Sequence, residues 1–145
     1  DYCVTIMRRM MYRIASEYLT KIKAKALING ENIGQVASQT LESLCVINSV
    51  CNVPVIRPLI TLDKQEIIDK AIKYKTYDIS IRPFDDCCTV FVPKHPQIKP
   101  KEENVLKQEA KFEYESLINE AIEKTETIVL TSSKHYDVLE AYDNL

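Results

Sequence analysis

Long apolar segments are absent from this sequence, and their absence limits the classes of protein that it can encode. No apolar run approaches the roughly 20 residues that a helix needs to cross a bilayer. The acidic start, Asp1-Tyr2-Cys3, is followed by a cationic, methionine-rich segment and does not resemble a secretory signal. We therefore expect a cytoplasmic protein without a membrane partner. Because residue 1 is not methionine, we also expect a piece of a longer protein or a processed product.

Cysteines spaced for a disulfide framework or a zinc site are missing too. The sequence contains five cysteines, Cys3, Cys45, Cys51, Cys87 and Cys88. Their number is odd and no Cys-x-x-Cys pair occurs, which predicts reduced thiols in a cytosolic protein. The two histidines are far apart in sequence, and only His95 lies near cysteines, so we predict no structural zinc site and identify no protein metal ligands.

A general excess of basic residues is also lacking. The net charge of -2 over 145 residues excludes a chain that is basic throughout and clamps nucleic acid. Local basic clusters remain, at Arg8, Arg9 and Arg13 and again over residues 94–101. The simplest interpretation of the three arginines is a solvated flank of a helix. The alternative is contact with phosphates or RNA, if the fold brings both clusters to one side.

Glycine is scarce, and both glycines lie in one stretch, Gly30 to Thr40, between an apolar run and an amphipathic pattern. Apolar periodicity predicts helices over residues 4–22, 35–50, 64–74 and 103–124. Strands are expected over residues 25–29, 55–57 and 127–130. Two strand-then-helix units in succession predict a parallel sheet covered by helices. Residues 76–101 form a long, proline-containing irregular stretch, and residues 131–145 a polar tail.

Within the helices, the same periodicity predicts which residues face the core. For the first helix the predicted apolar stripe is Ile6, Met7, Met10, Met11, Ile14, Tyr18 and Ile22. In the second helix Cys45 is expected to pack as a small hydrophobic core residue. Asp63, followed three residues later by Glu66, predicts a capping box at the start of the third helix.

The turn at Gly30 is the first candidate for chemistry. Gly30 could take a positive φ or allow a ligand to approach the backbone closely. A helix that begins after Gly34 would direct unpaired N–H groups at an anion. Glu31 and Asn32 could hydrogen-bond a base or ribose, and Gln39 could reach the same ligand. A plain strand-to-helix connection is the alternative, because the stretch is not a Gly-x-Gly-x-x-Gly fingerprint.

The second candidate is the adjacent pair Cys87 and Cys88. Adjacent cysteines do not easily bridge each other, so two thiols in a proline-bounded loop suggest a reactive cysteine. Lys94 or His95 would favour the thiolate, whereas the two aspartates before the pair would raise the thiol pKa. The alternative is one buried structural thiol and one incidental thiol.

Several short motifs, matched in order and spacing, resemble one family. They are Met7-Arg8-Arg9-Met10-Met11, the thirteen residues from Gly30 to Glu42, Arg57-Pro58-Leu59-Ile60, Asp63-Lys64 with Glu66-Ile67-Ile68, and Asp86-Cys87-Cys88-Thr89 with Pro93-Lys94-His95-Pro96. In these residues the chain resembles the tRNA 4-thiouridine synthetases, which are tRNA sulfurtransferases also called thiamine-biosynthesis proteins. The resemblance extends to about Leu130.

The resemblance implies a fold and a place within it. It implies an α/β, Rossmann-like parallel sheet flanked by helices, of the PP-loop, adenine nucleotide α-hydrolase-like type. The PP-loop, a Ser-Gly-Gly-x-Asp-Ser-type sequence, belongs before residue 1, so the fold is expected to be truncated at its N-terminus. Residues 1–130 would be the C-terminal part of the PP-loop sulfurtransferase domain, and residues 131–145 a tail.

The resemblance also implies an activity. Family members use ATP and Mg²⁺ to adenylate the C4 oxygen of a tRNA uridine, and a persulfide sulfur then displaces AMP to leave 4-thiouridine. The same sulfur supply serves thiazole synthesis for thiamine. Positions matching Arg8, Gly30 and Gln39 contact ATP in the family, and a cysteine matching Cys87 or Cys88 takes part in sulfur transfer. Expected partners are tRNA and a cysteine desulfurase or persulfide carrier.

Two alternatives to this activity remain at the level of sequence. The chain could be a non-catalytic folded fragment that associates with itself, as a homodimer, or with the missing half through an uncovered sheet edge. It could also belong to another PP-loop, ATP-dependent ligase.

Overall fold

The computed structural model describes residues 2–34, 39–83, 97–129 and 131, which together form six helices and two strands. The helices are α1 (Cys3–Ile22), α2 (Leu41–Asn48), α3 (Lys64–Lys73), α4 (Tyr77–Ser80), α5 (Glu102–Glu109) and α6 (Glu115–Glu123), and the strands are β1 (Leu27–Ile28) and β2 (Val55–Ile56). Within these ranges no helix has both the length and the hydropathy required to span a bilayer.

The two strands form a parallel pair, as predicted. Leu27 lies opposite Val55 and Ile28 lies opposite Ile56. The backbone N–H of Asn29 donates to the carbonyl of Ile56 at 3.1 Å, which extends the pairing past the end of β1. Because α2 lies between the strands in sequence, β1, α2 and β2 form the crossover unit that parallel strands require. Both strands are shorter than predicted.

One face of this sheet is apolar and uncovered in the described part of the chain. Leu27 and Val55 are half-buried on one face, whereas Ile28 and Ile56 on the other face are 71% and 49% exposed. Parallel sheets are normally buried on both faces. The exposed isoleucines therefore mark a face that a complete sheet of this type would cover.

Helix α1 forms over the predicted residues but buries a different face. Two members of the predicted apolar stripe, Met11 and Ile22, are more than half exposed. The buried residues are Thr5, Arg9, Tyr12 and Leu19. These positions share one side of a helix, and α1 packs against α2, α5 and α6. The predicted stripe was wrong, and so was the simpler interpretation of the arginines as a solvated flank, because Arg9 is 1% exposed and paired inside the protein.

Helix α2 begins at Leu41, later than predicted. The Thr40 side chain accepts a hydrogen bond from the backbone N–H of Ser43 at 3.2 Å, and this cap fixes the start of the helix. Residues 35–38, which were included in the predicted helix, lie outside the described residues. Cys45 is exposed, so its assignment to the core was wrong.

Helix α3 begins as predicted. The Asp63 side chain accepts from the backbone N–H of Glu66, and the Glu66 side chain accepts from the backbone N–H of Asp63, both at 2.8 Å. This reciprocal pair confirms the capping box. The stretch after α3 contains the short helix α4, and residues 84–96 lie outside the described residues.

The single helix predicted over residues 103–124 is two helices, α5 and α6. The carboxylate of Glu113 accepts hydrogen bonds from the backbone N–H groups of Glu115 and Ser116, and so caps α6. The Ser116 hydroxyl also donates to this carboxylate, and its hydrogen bond, together with those of the backbone N–H groups, holds the pKa of Glu113 below its ordinary value. The helical spacing of apolar residues continues across the break between α5 and α6, so the sequence pattern does not reveal the break. The strand predicted over residues 127–130 does not form at residues 127–129, and Leu130 lies outside the described residues.

A buried ion cluster centred on Glu109 joins α5 to α1. The carboxylate accepts from Arg9 Nε at 2.7 Å and from both terminal nitrogens of Arg13 at 2.8 and 2.9 Å. Arg13 also stacks on Tyr114, with its Cζ 4.6 Å from the ring centroid. Arg9 continues to α2, where it donates to the backbone carbonyl of Val46. Three helices therefore meet around one guanidinium group.

The Glu109 carboxylate is held in its charged form. Burial alone would raise the pKa of Glu109, but hydrogen bonds from Arg13 and Arg9 outweigh it and leave the pKa below its ordinary value. A lowered folded-state pKa contributes stability that is present at neutral pH. That contribution is lost in acid, as the pH falls through the folded-state pKa.

Candidate nucleotide site

The predicted site residues on α1 and in the Gly30 turn lie near each other, at the carboxyl ends of the two strands. Gly30 and Glu31 follow β1 closely, and Arg57 follows β2 directly. In open α/β sheets, ligands bind in the crevice outside the carboxyl ends of parallel strands. Gly30 is exposed at this edge.

A second ion cluster, centred on Glu31, occupies this edge. One carboxylate oxygen, Oε1, accepts from Arg8 on α1. The other, Oε2, accepts from Arg57 Nε at 2.7 Å and from the Tyr12 hydroxyl at 2.8 Å. The side chain of Glu31 is 10% exposed. Glu31 therefore holds Arg8 beside the Gly30 turn. From the sequence, Glu31 was expected to bind a ligand instead.

Neighbouring polar groups fix the Glu31 cluster from several elements. The Tyr12 hydroxyl accepts from Asn29 Nδ2 at 2.6 Å and from Arg57 Nη2 at 3.1 Å. Arg57 Nη2 also lies 3.1 Å from Asn48 Oδ1 on α2. Because α1, α2 and both strand ends contribute, the arrangement of the cluster is set by the fold as a whole.

The side chains of Glu31 and Asn32 are used inside the protein. Asn32 Nδ2 donates to the carbonyls of Leu59 and Leu62, each at 2.6 Å, and so ties the Gly30 turn to the turn after β2. Asn32 is 4% exposed. The expectation that these two side chains would bind a base or ribose is therefore wrong, because both are engaged by protein partners.

Of the two roles predicted for Gly30, a positive φ or close approach of a ligand, the structure contradicts the first. Gly34, and not Gly30, has a positive φ, of 81°, and its N–H donates to the Gln39 carbonyl at 3.0 Å. At Gly30 an added Cβ would meet only Leu59 Cδ1, at 3.9 Å. Since the fold would accept a side chain at Gly30, any need for glycine there comes from something that approaches the backbone.

Gln39 carries an unsatisfied buried atom. Its amide Oε1 is buried and has no hydrogen-bond partner among the described residues, although the residue as a whole is half-buried. Buried acceptors without a partner are costly and uncommon, so each one needs an explanation. A bound group that donates a hydrogen bond to Gln39 Oε1 would explain why this atom has no partner among the described residues.

An open groove of about 750 Å³ adjoins the Glu31 cluster. Arg57 and Asn48, which take part in the hydrogen bonds around Glu31, also line the groove. Its other walls are mostly apolar side chains of α2 and residues 53–60. In the described part of the chain, neither Arg8 nor Gln39 lines it. The groove and the nucleotide-site residues are therefore neighbours and not one cavity.

Comparison with known proteins identifies the family. The family model described as thiamine biosynthesis protein (ThiI) matches residues 1–114. The chain belongs to the ThiI family. This result confirms the resemblance drawn from the motifs.

Individual relatives agree with this assignment. The chain is 53% identical over 132 residues to a probable tRNA sulfurtransferase of Bacillus licheniformis, covering 91% of this chain and 33% of the relative. It is 50% identical over 142 residues to a probable tRNA sulfurtransferase of Macrococcus caseolyticus, covering 98% of this chain and 35% of the relative. The chain thus spans about a third of the length of the curated relatives that it matches.

A solved structure confirms the fold class. A crystal structure of a 4-thiouridine synthetase–RNA complex with bound ATP matches this chain with a TM-score of 0.76 and 43% sequence identity. The match covers 84% of this chain and 32% of that one. The parallel strand pair and its flanking helices are therefore part of a Rossmann-like α/β fold.

The remaining predicted site residues of this ThiI-family chain divide into two groups. Cys87 and Cys88 lie outside the described residues, as do Lys94 and His95. The arginines proposed to contact RNA are described, and protein carboxylates bind their guanidinium groups: Glu109 binds Arg9 and Arg13, and Glu31 binds Arg8. Within the described ranges, no three His, Cys, Asp or Glu side chains come together as a metal site.

Sequence reasoning missed the parts of the site that belong to the protein scaffold. Tyr12 and Arg57 were not assigned to the site, and Glu31 was given a different role. A signal was available, since Glu31 and Arg57 follow consecutive predicted strands, and the carboxyl ends of neighbouring parallel strands meet at one edge.

Proposed function

We propose that this chain is the C-terminal part of the catalytic domain of an ATP-dependent tRNA uridine 4-sulfurtransferase. The observation that carries the proposal is the match, over 84% of the chain at 43% identity, to a 4-thiouridine synthetase with bound RNA and ATP. Residues 1–130 would belong to that domain and residues 131–145 to a tail. The other two thirds of the protein would supply the PP-loop and the RNA-binding domains.

The chain would supply one wall of the ATP site, through Arg8, Gly30 and Gln39. Arg8 shares the Glu31 carboxylate with Arg57, and guanidinium groups favour an anion such as a phosphate. Gly30 would let the nucleotide approach the backbone, and the unpartnered Oε1 of Gln39 would accept a hydrogen bond from an amino or hydroxyl group of adenosine. Mg²⁺ would accompany the phosphates and offset charge as pyrophosphate leaves.

Sulfur transfer would use Cys87 or Cys88. A uridine activated at C4 is a suitable target for a soft sulfur nucleophile, and AMP is the leaving group. A thiol reductant would then attack the cysteine sulfur of the resulting disulfide, form a new disulfide with it and release 4-thiouridine. The persulfide would come from a cysteine desulfurase or a persulfide carrier, in the cytoplasm, and the same supply would serve thiamine thiazole synthesis. The substrate would be tRNA, in keeping with the bound RNA of the similar structure.

The uncovered sheet face favours association with another polypeptide segment. Ile28 and Ile56 expose a contiguous apolar pair on the sheet. We propose that the upstream part of the domain covers this face in the complete protein. A homodimer formed through the same face is the alternative.

Gln39 provides a test of the ATP site in a longer protein. We define the completed protein as this chain joined to the segments that the B. licheniformis relative carries outside its matched region. Gln39→Leu removes the amide with little change in volume and should raise the KM for ATP about 3- to 10-fold, because one hydrogen bond to ATP is lost. Stability should be unchanged or higher, since an unsatisfied buried acceptor is removed.

Gln65→Leu is the matched control for Gln39→Leu. Gln65 is exposed on α3 and bonds only to Asp69 among the described residues. Its replacement should leave the KM for ATP unchanged. Equal KM values for ATP in the two variants would show that Gln39 does not bind ATP.

A further inference from the structure

The Glu31 carboxylate does more than link α1 to the sheet. Its two oxygens hold two arginines, Arg8 on Oε1 and Arg57 on Oε2. The Glu31 contacts lie at the carboxyl ends of both described strands, where an open α/β sheet binds its ligand.

The Glu109 cluster provides an internal comparison. It also contains one buried carboxylate that holds two arginines, with N···O distances of 2.7 and 2.8 Å. A second, half-exposed carboxylate, that of Glu102, lies 3.8 Å from Arg9. The Glu109 cluster lies between helices and includes no residue from a strand end, whereas the Glu31 cluster lies where a ligand would bind.

We propose that Glu31 is a positioning residue that orients Arg8 toward the phosphates of ATP, and that Arg57 and Tyr12 hold Glu31 in place. This inference rests on the function proposed above. An arginine side chain that is not held by a partner has many accessible rotamers. When Glu31 holds the guanidinium before ATP arrives, less rotamer freedom is lost on binding, and affinity rises.

The role of Glu31 can be separated from its charge. Glu31→Gln keeps the side-chain length but leaves one acceptor oxygen for two arginines and removes the charge that strengthens both hydrogen bonds, so the hold on Arg8 is weakened. The lost charge also makes the site less negative. If positioning dominates, the KM for ATP rises; if Glu31 only offsets positive charge, the KM for ATP falls.

The decisive experiment is a double-mutant cycle in the completed protein. Glu31→Gln should raise the KM for ATP about 5- to 10-fold, since one immobilised side chain is released, and should leave the KM for tRNA unchanged. Arg8→Ala should raise it at least as much. The double variant should be no worse than Arg8→Ala alone, because Glu31 acts through Arg8.

Two further variants keep the test independent of folding. Glu109→Gln should lower the melting temperature but leave the KM for ATP unchanged when assayed below that temperature. Tyr12→Phe removes one hydrogen bond to Glu31 with little loss of packing and should raise the KM for ATP about 2- to 3-fold. It carries the test if Glu31→Gln fails to fold.

The outcomes distinguish this inference from the proposed function. An unchanged or lowered KM in Glu31→Gln, or additive losses in the double variant, would overturn the positioning role while ATP use by the unsubstituted protein stands. If the unsubstituted completed protein does not bind ATP, the proposed function fails, and the role of Glu31 fails with it.

Discussion

Replacing both Cys87 and Cys88 by serine is expected to abolish 4-thiouridine formation by the completed protein, by at least about 10³-fold. A serine hydroxyl cannot carry a persulfide sulfur, and its oxygen is a much weaker nucleophile than a thiolate near neutral pH. The proposed nucleotide site uses other residues, so the affinity for ATP should not change. Mass spectrometry of nucleosides from the tRNA product measures the loss, and equilibrium binding measures ATP affinity.

The other cysteines provide matched controls for this loss. Cys3 and Cys45 are exposed, so they are as open to chemical modification as a reactive cysteine would be. Replacing both by serine should leave thiolation unchanged. The single variants Cys87→Ser and Cys88→Ser then assign the transfer step to one position. Full activity in the double variant of Cys87 and Cys88 would remove this loop from the chemistry.

Replacing Glu109 by alanine is expected to cause a large loss of stability. It leaves Arg9, whose side chain is 2% exposed, and Arg13 without their shared carboxylate. Arg9 then keeps the half-exposed carboxylate of Glu102, which lies 3.8 Å away and is too distant to replace it. Removing one partner of a buried ion pair costs about 3–5 kcal/mol, because a buried charge is left uncompensated. Urea unfolding of the 145-residue chain, followed by circular dichroism, measures the change in the free energy of unfolding.

Glu120→Ala is the control for this effect. Glu120 pairs with Lys124 one helical turn away, and both side chains are exposed. Pairs of this kind contribute about 0.5 kcal/mol or less. Both substitutions put alanine into a helix, so differences in helix propensity largely cancel. A loss at Glu109 no larger than that at Glu120 would mean that the arginines find other partners.

The order of elements could be predicted from the sequence, because it depends on local patterns. The strand, glycine turn and helix around Gly30 are followed by a second strand, turn and helix around Pro58 and Asp63, and that succession is sufficient to predict a parallel sheet. The capping box at Asp63 was predictable for the same reason, since both partners lie within four residues. Family motifs added the identity of the fold.

The packing of the elements could not be predicted, because it depends on partners far apart in sequence. Arg9 resembles a solvent-exposed charge until Glu109, one hundred residues later, is placed against it. The same holds for Glu31, whose partners lie on α1 and after β2. Apolar periodicity also runs without interruption through the break between α5 and α6, where Glu113 caps the start of the second helix.

The proposal that matters most is that this chain forms one wall of an ATP-dependent, tRNA-thiolating active site. Its most direct test is to incubate the completed protein with a persulfide donor and tRNA lacking sulfur, with and without ATP, and to measure 4-thiouridine by mass spectrometry. We expect 4-thiouridine only when ATP is present. Absence of 4-thiouridine in an assay where the B. licheniformis relative forms it, or formation without ATP, would show that the proposed activity is wrong.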